Sequence, residues 1–320
     1  MWLYDFLIFY NSGQAILSGI SPYTIFDFNS PIFLALFFAP FSLLPVGISY
    51  VVFLIANLFL VWKLLKKRII WAVLFFPFLF SLFVGQIDFL LASLIFIGSP
   101  WTIALALVKP QLAFVVIPWM IMSFSKNDWW KAIISTSAFI GIGFIVQPNW
   151  MKEWFATQPS FEFFSSHASN IYWLIPQNNL TLRSNLTFIG ALIILPLGFV
   201  LKNRRDSWTI LHTFAPLTNI YSPAVLLEWV GPIEVVLSWL AVLLVGGNIH
   251  TGMPFFLIGI SIFIRGMLEY KKSSKDNKIH LEDLFRPFMV RFFRKQYPKL
   301  LILLISQYLF TLYTIFSSNS

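Results

Sequence analysis

Few side chains in this sequence can do chemistry, and the first of them is Asp5, set among Trp2, Phe6 and Phe9. A carboxylate held against apolar surface loses hydration and its pKa rises, which suits it to act as a general base near neutrality. A solvated tail aspartate is the plainer reading. The second group is Lys109, which with Pro110 and Gln111 interrupts an otherwise continuous apolar run over residues 102–122. Proline there breaks the helix and bends the chain back. The ammonium then either projects into an outward cavity and meets a phosphate, or snorkels toward lipid headgroups. Between the two lies Gly85-Gln86-Ile87-Asp88, a polar corner that joins two apolar stretches on the same side as the Lys109 break. Gln86 and Asp88 either face a substrate or satisfy the backbone of the turn. The segment 148–184 adds Trp154, His167, Asn170, Tyr172, Trp173 and Arg183, a mixture of aromatic faces and donors that suits sugar recognition. Any interfacial loop is rich in Trp and Tyr, and His167 alone also reads as structural.

The elements that must hold these groups are those of a membrane protein. Of 320 residues, 58% are hydrophobic and 11% charged, with a mean hydropathy of +0.79, whereas about a quarter of an ordinary soluble domain is charged. With no cysteine and four scattered histidines, disulfide frameworks, thiolate metal sites and cysteine nucleophiles are excluded, and no metal site is expected. No Gly-rich phosphate loop, serine-nucleophile motif or Asp-x-Asp signature is present, so no cofactor is expected. The formal charge of +9 lies mostly in short basic runs between apolar stretches. Such runs are topology signals facing anionic lipid, not a nucleic-acid surface.

Clear spans are expected over residues 46–61, 69–84, 132–146, 186–201, 230–245, 254–264 and 300–316. Shorter or interrupted pieces fall at 32–44, 89–97, 102–108, 112–122 and 210–220. The fold class expected is all-α, a polytopic bundle of about ten crossings that includes short and broken helices. Lys63, Lys66, Lys67 and Arg68, then Lys126 and Lys131, then Lys202, Arg204 and Arg205 mark the cytoplasmic side. Residues 1–30 and 148–184 are then outer loops. Counting on from Arg205 puts the basic run 271–278 outside unless a further half-crossing is hidden near 221–228. Residues 1–30 have no secretory signal pattern, and residues 280–293 follow a helical period suited to a membrane surface.

The order of motifs resembles the polytopic glycosyltransferase family 87. Asp5-Phe6 is followed by Phe9-Tyr10, Leu17-Ser18-Gly19, Pro22-Tyr23, Ser30-Pro31, and Pro40-Phe41 to Leu44-Pro45. Gly85-Gln86, Lys109-Pro110 and Tyr221-Ser222-Pro223 then recur in that family's order, over residues 4–230 in all. The resemblance implies a GT-C fold in the cell membrane and a multi-pass enzyme that takes a sugar, usually mannose, from a polyprenyl-phosphate carrier. Transfer goes to a lipid or glycan acceptor hydroxyl on the outer face, with inversion. Asp5 matches the family's catalytic aspartate and Lys109 the lysine of its paired short helices. Four residues precede Asp5 where the family has a transmembrane helix, and Asp88 stands where it usually has Asn.

On this reading Asp5 takes the acceptor proton, and Lys109, Arg183 or His167 meets the donor phosphate. Tyr10, Asn11, Gln86, Asp88, Gln111 and Asn170 are the candidates for sugar and acceptor contacts. The chain divides into a GT-C-like membrane domain (1–270), a polar and amphipathic interfacial linker (271–298) and a C-terminal transmembrane helix (299–320). A lipid or solute transporter using Asp88, Lys109 and Glu228, or a non-catalytic scaffold, is the alternative, although no inverted repeat is visible.

Overall fold

The computed structural model describes residues 3–158, 167, 169–175, 177–215, 218–246 and 252–273. The linker and C-terminal helix expected beyond residue 273 lie outside the described residues, as does part of the loop 148–184. All regular structure among the described residues is helical, so the chain is an all-α membrane bundle.

The clearest span is α3 (Val46–Leu65). Its outward face carries Ile48, Val51, Val52, Ile55, Phe59 and Trp62, while Ser49 and Asn57 are buried with Phe53 and Leu60. That inversion of the soluble pattern follows when the surroundings are hydrocarbon and polar groups must be satisfied internally. Asn57 accordingly donates its amide to the Phe53 carbonyl at 2.9 Å. Two further helices, Lys126–Val146 and Leu180–Val200, are long and apolar enough to cross a bilayer, and a pair bent by 101°, Phe76–Val84 with Asp88–Gly98, passes the same test jointly. The remaining helices are short, so most of the bundle is built from pieces of a span.

Residues 1–30, expected as an outer loop, begin with a helix, α1 (Tyr4–Leu17), packed along α2 (Ile32–Ser42). Gly13 permits this, because a Cβ there would stand 2.5 Å from Ser42 Oγ and 2.8 Å from the α2 backbone. The Ser42 hydroxyl donates to the Tyr10 carbonyl at 2.6 Å across the same contact.

The expected span over 69–84 is broken into α4 (Ile69–Leu74) and α5 (Phe76–Val84) ahead of Pro77. α6 (Asp88–Gly98) follows, and the 3-10 helix Trp101–Val108 folds back on it, with the Thr102 hydroxyl directed at the Leu94 and Ile95 carbonyls at 3.0 and 3.2 Å. This hairpin returns the chain to its starting point before α7 (Pro110–Ile121) leaves again. Then come α8 (Lys126–Val146), α9 (Trp150–Thr157) and α10 (Leu180–Val200).

Near 221–228, where a further half-crossing was the alternative, the chain forms a short helix that is not among those long and apolar enough to cross a bilayer. α11 (Arg204–Phe214) is followed by the 3-10 helix Ser222–Trp229, which returns Glu228 to Arg204, with an ion pair between them. Eleven α-helical residues rise about 16 Å and eight 3-10 residues also about 16 Å, each near half of a hydrocarbon core about 30 Å thick. α12 (Pro232–Leu244) and α13 (Phe256–Ser273) complete the described chain. The end of α13 comes back to the same basic end, where Arg205 pairs with Glu269 and Asn203 donates to the Tyr270 hydroxyl at 3.0 Å. Arg68 joins them through the Glu228 and Val230 carbonyls, at 3.1 and 2.7 Å. Basic clusters far apart in sequence thus share one end of the bundle, and the run after residue 270 starts there too.

Gly13→Ala is expected to lower stability by about 1–3 kcal/mol through overpacking against α2. Gly47→Ala, with no atom within 4 Å of the added methyl, leaves the thermal unfolding of detergent-solubilised protein unchanged or raised.

Candidate active site

Three chain segments meet at the end of the bundle opposite the basic cluster. The first is the start of α1, where the Leu3 amide bonds to the Phe83 carbonyl at 3.1 Å and ties the helix to the end of α5. Asp5 stands in the first turn of α1, where an acidic residue suits the helix dipole.

The second segment is the α5–α6 corner. Gly85 caps α5 at φ +85°, and a Cβ on it would lie 2.2 Å from Phe6 Cβ. Both the left-handed backbone and the close approach of α1 require glycine. This contact brings the next residue, Gln86, onto Asp5. The Gln86 amide donates to Asp5 Oδ2 at 2.7 Å, and its oxygen accepts from Lys109 Nζ at 2.7 Å.

The third segment is the break before α7. Lys109 has φ −143° and ψ 88°, the extended backbone expected ahead of proline, and Pro110 starts the helix. Its ammonium also pairs with Asp88 Oδ2 at 2.5 Å, and both side chains are buried. The Tyr221 ring lies under the same ammonium, 4.6 Å from Nζ to the ring centroid, and its hydroxyl accepts from the Asn219 amide at 2.7 Å. Charge-assisted bonds of this kind are the strong ones, and an ammonium facing an aromatic ring adds a cation–π attraction.

Asp5 lies outside the candidate spans. Burial pushes its carboxyl above the usual range, against the Gln86 hydrogen bond and the Lys109 charge, and the carboxylates of Asp88 and Asp27 add to the rise. Chemically, the arrangement is a partly buried base, oriented by an amide and adjacent to a fixed cation.

Asp5, Gln86, Asp88 and Lys109 are therefore brought together. Gln111 lines a small cavity that Asp88 also lines. Asn11 is exposed on α1. Tyr10 and Asn170, expected to orient sugar hydroxyls, spend their polar atoms on the chain itself. Tyr10 donates to the Leu44 carbonyl at 2.8 Å, while the Asn170 amide donates to the Ala215 carbonyl at 2.8 Å and its oxygen caps Tyr172 at 3.0 Å. Arg183 is buried in the first turn of α10, and His167 is partly buried. Tyr221 was missing from the expected contacts, although Tyr221-Ser222-Pro223 was visible as a motif. His212, buried beside Asp88 in that cavity, had no sequence signal beyond being a lone histidine in an apolar stretch.

An all-α membrane bundle with a carboxylate, an amide and an ammonium bonded in series at one end defines a polytopic membrane protein with a buried polar centre. The model of glycosyltransferase family 87 matches residues 28–247, more than half of the chain, which belongs to that family and is a membrane glycosyltransferase. No curated protein and no solved structure matches it. The matched stretch contains Gln86, Asp88, Lys109, Tyr221 and His212. It begins later than the resemblance over 4–230, so Asp5, Tyr10 and Asn11 precede it and the argument for Asp5 rests on its contacts.

Lys109→Met removes the partner of a buried carboxylate and is expected to cost about 3–5 kcal/mol. Adding Asp88→Asn recovers part of that loss, which a denaturant titration in detergent reads directly.

Proposed function

We propose that the chain transfers a hexose, with mannose the first choice, from a polyprenyl-phosphate carrier to an acceptor hydroxyl on the outer face of the cell membrane, with inversion. The observation that carries this reading is the bonded path from Asp5 through Gln86 to Lys109, each link 2.7 Å. It joins a base to a cation through one side-chain amide, and these are the two groups that an attacking hydroxyl and a departing phosphate call for.

In the step, the acceptor oxygen forms a bond to the anomeric carbon while the bond from that carbon to the phosphate oxygen breaks, and its electron pair leaves with the polyprenyl phosphate. The acceptor proton passes to the Asp5 carboxylate. General-base help of this type is worth about 10²–10⁴-fold. The negative charge growing on the phosphate is met by Lys109, whose position Asp88, Gln86 and Tyr221 hold before the donor arrives, so little reorganisation is needed. Gln86 has a single orientation open to it, because an ammonium only donates and a carboxylate only accepts. Arg183 and His167 are further candidates for the phosphate, and Asn11 and Gln111 for acceptor or sugar hydroxyls. The donor and the acceptor, lipid or glycan, are the partners this reading requires. A donor already anchored in lipid also accounts for a chain without a nucleotide-binding motif.

In proteoliposomes supplied with a polyprenyl-phosphate sugar, Asp5→Asn is expected to reduce transfer by about 10²–10⁴-fold while expression and unfolding temperature stay unchanged. Full activity in that variant removes Asp5 from the mechanism. The pH profile follows from the same group. A base works when deprotonated, so activity is present above its pKa and lost as pH falls through it. With the Asp5 pKa raised, the acid limb lies above the ordinary carboxylate value of 3.8. Gln86→Leu deletes the bond that stabilises the anion, and moves the limb to still higher pH.

A further inference from the structure

Asp88 faces one more feature that the transfer step leaves unused. Together with Gln111, His212, Thr218 and Ser222 it lines a small cavity with room for about one water molecule. His212 is 1% exposed; its ring faces the Ser222 backbone carbonyl, which can take one N–H outside ordinary hydrogen-bond geometry and leaves the other ring nitrogen unmet. The buried Thr218 hydroxyl is unpaired as well. An imidazole offers a donor and an acceptor when neutral and a hydroxyl offers both, and leaving such groups unmet inside a protein is costly. Buried water is retained where about two to four polar partners converge on a space of its own size; this cavity has that size, and Asp88, His212, Thr218 and Ser222 are among its lining residues. The Ser222 hydroxyl oxygen already accepts from the Asn219 backbone N–H at 3.0 Å, which leaves its remaining lone pair and hydrogen for the cavity.

We propose that one water molecule is held in this cavity, bonded to His212 and to the Asp88 carboxylate, and that His212 is thereby a positioning residue for Lys109. Asp88 is the counter-ion that directs the Lys109 ammonium, through a 2.5 Å contact. Water bridging from the imidazole keeps that carboxylate from rotating, so the ammonium stays aligned with Gln86. His212 reaches the reaction only through this relay of contacts and touches no reacting atom. The consequence for transfer rests on the function proposed above, but the water bridge does not.

The test is a double-mutant cycle on the full chain in lipid nanodiscs, read first as thermal unfolding. His212→Phe and Asp88→Asn each lower the unfolding temperature, and the double variant falls no further than the worse single one, because both remove the same bridge. His212→Gln, which keeps a donor and an acceptor, recovers most of the loss. Additive losses, or a glutamine variant as damaged as the phenylalanine one, overturn the bridge. If His212→Phe does not fold, His212→Leu, which likewise has no polar atom, replaces it in the cycle under the same criteria.

In the transfer assay, His212→Phe lowers kcat on the order of 100-fold, the scale of a misplaced reacting group, with donor KM little changed. Loss in KM alone, with kcat intact, overturns the positioning role. Retained transfer in Asp5→Asn alongside a non-additive cycle counts against the proposed function and leaves the water bridge standing.

Discussion

A primary amide can sit between a carboxylate and an ammonium in only one orientation, and the position of Gln86 between Asp5 and Lys109 is the constraint on which the site depends. Each end of that amide is claimed by a different segment of chain. Asp5 comes from the start of α1, Gln86 from the corner after α5, and Lys109 from the break before α7. The corner can be this tight because Gly85 takes a left-handed backbone and leaves no side chain between itself and Phe6. The break before α7 exists because proline follows lysine. Asp88 and Tyr221 flank the same ammonium. With one partner absent, a buried charge would be left uncompensated, which is far costlier than the intact set.

This constraint also accounts for the broken helices. Uninterrupted spans would carry polar residues past one another on the faces of long rods. Short pieces instead end where the charges must meet. α6, the 3-10 helix after it, α7, α11 and the 3-10 helix Ser222–Trp229 all have an end near the Asp88–Lys109 pair. Irregular backbone in a membrane protein is tolerated where it is enclosed by protein. The opposite ends are closed by a second set of charges, in which Arg204 pairs with Glu228 and stacks 3.5 Å over the Phe96 ring, while Arg205 pairs with Asp206 and Glu269. Outside both, the long helices present apolar faces, as α3 does with Ile48, Val51 and Ile55.

Much of this was legible in the order of residues. The apolar run of α3, the basic clusters at Lys66–Arg68 and Lys202–Arg205, and the two polar breaks at Gly85–Asp88 and Lys109–Gln111 all appear at the sequence level, because each is a local departure from an apolar background. α1 was not legible as a packed helix. Asn11, Ser12, Gly13 and Gln14 interrupt its apolar period, and its seat on α2 depends on Gly13 meeting Ser42, a contact 29 positions away in sequence. The contact of Tyr221 with Lys109, and the place of His212 in the cavity that Asp88 lines, were likewise hidden, since the return of Ser222–Trp229 is set by tertiary contacts. Tyr10 and Asn170 illustrate a different limit. Their side-chain chemistry suits a sugar as well as it suits the Leu44 and Ala215 carbonyls that they bond, and residue type cannot separate the two.

The most direct test of the account is a single-particle structure of the chain in lipid nanodiscs, with a non-hydrolysable polyprenyl-phosphate sugar bound. The account predicts Asp5 and Lys109 in one chamber, bridged by Gln86, with the donor phosphate beside the ammonium and the anomeric carbon facing Asp5. Lys109 turned out to the headgroups, or Asp5 across the bilayer from the phosphate, would contradict it.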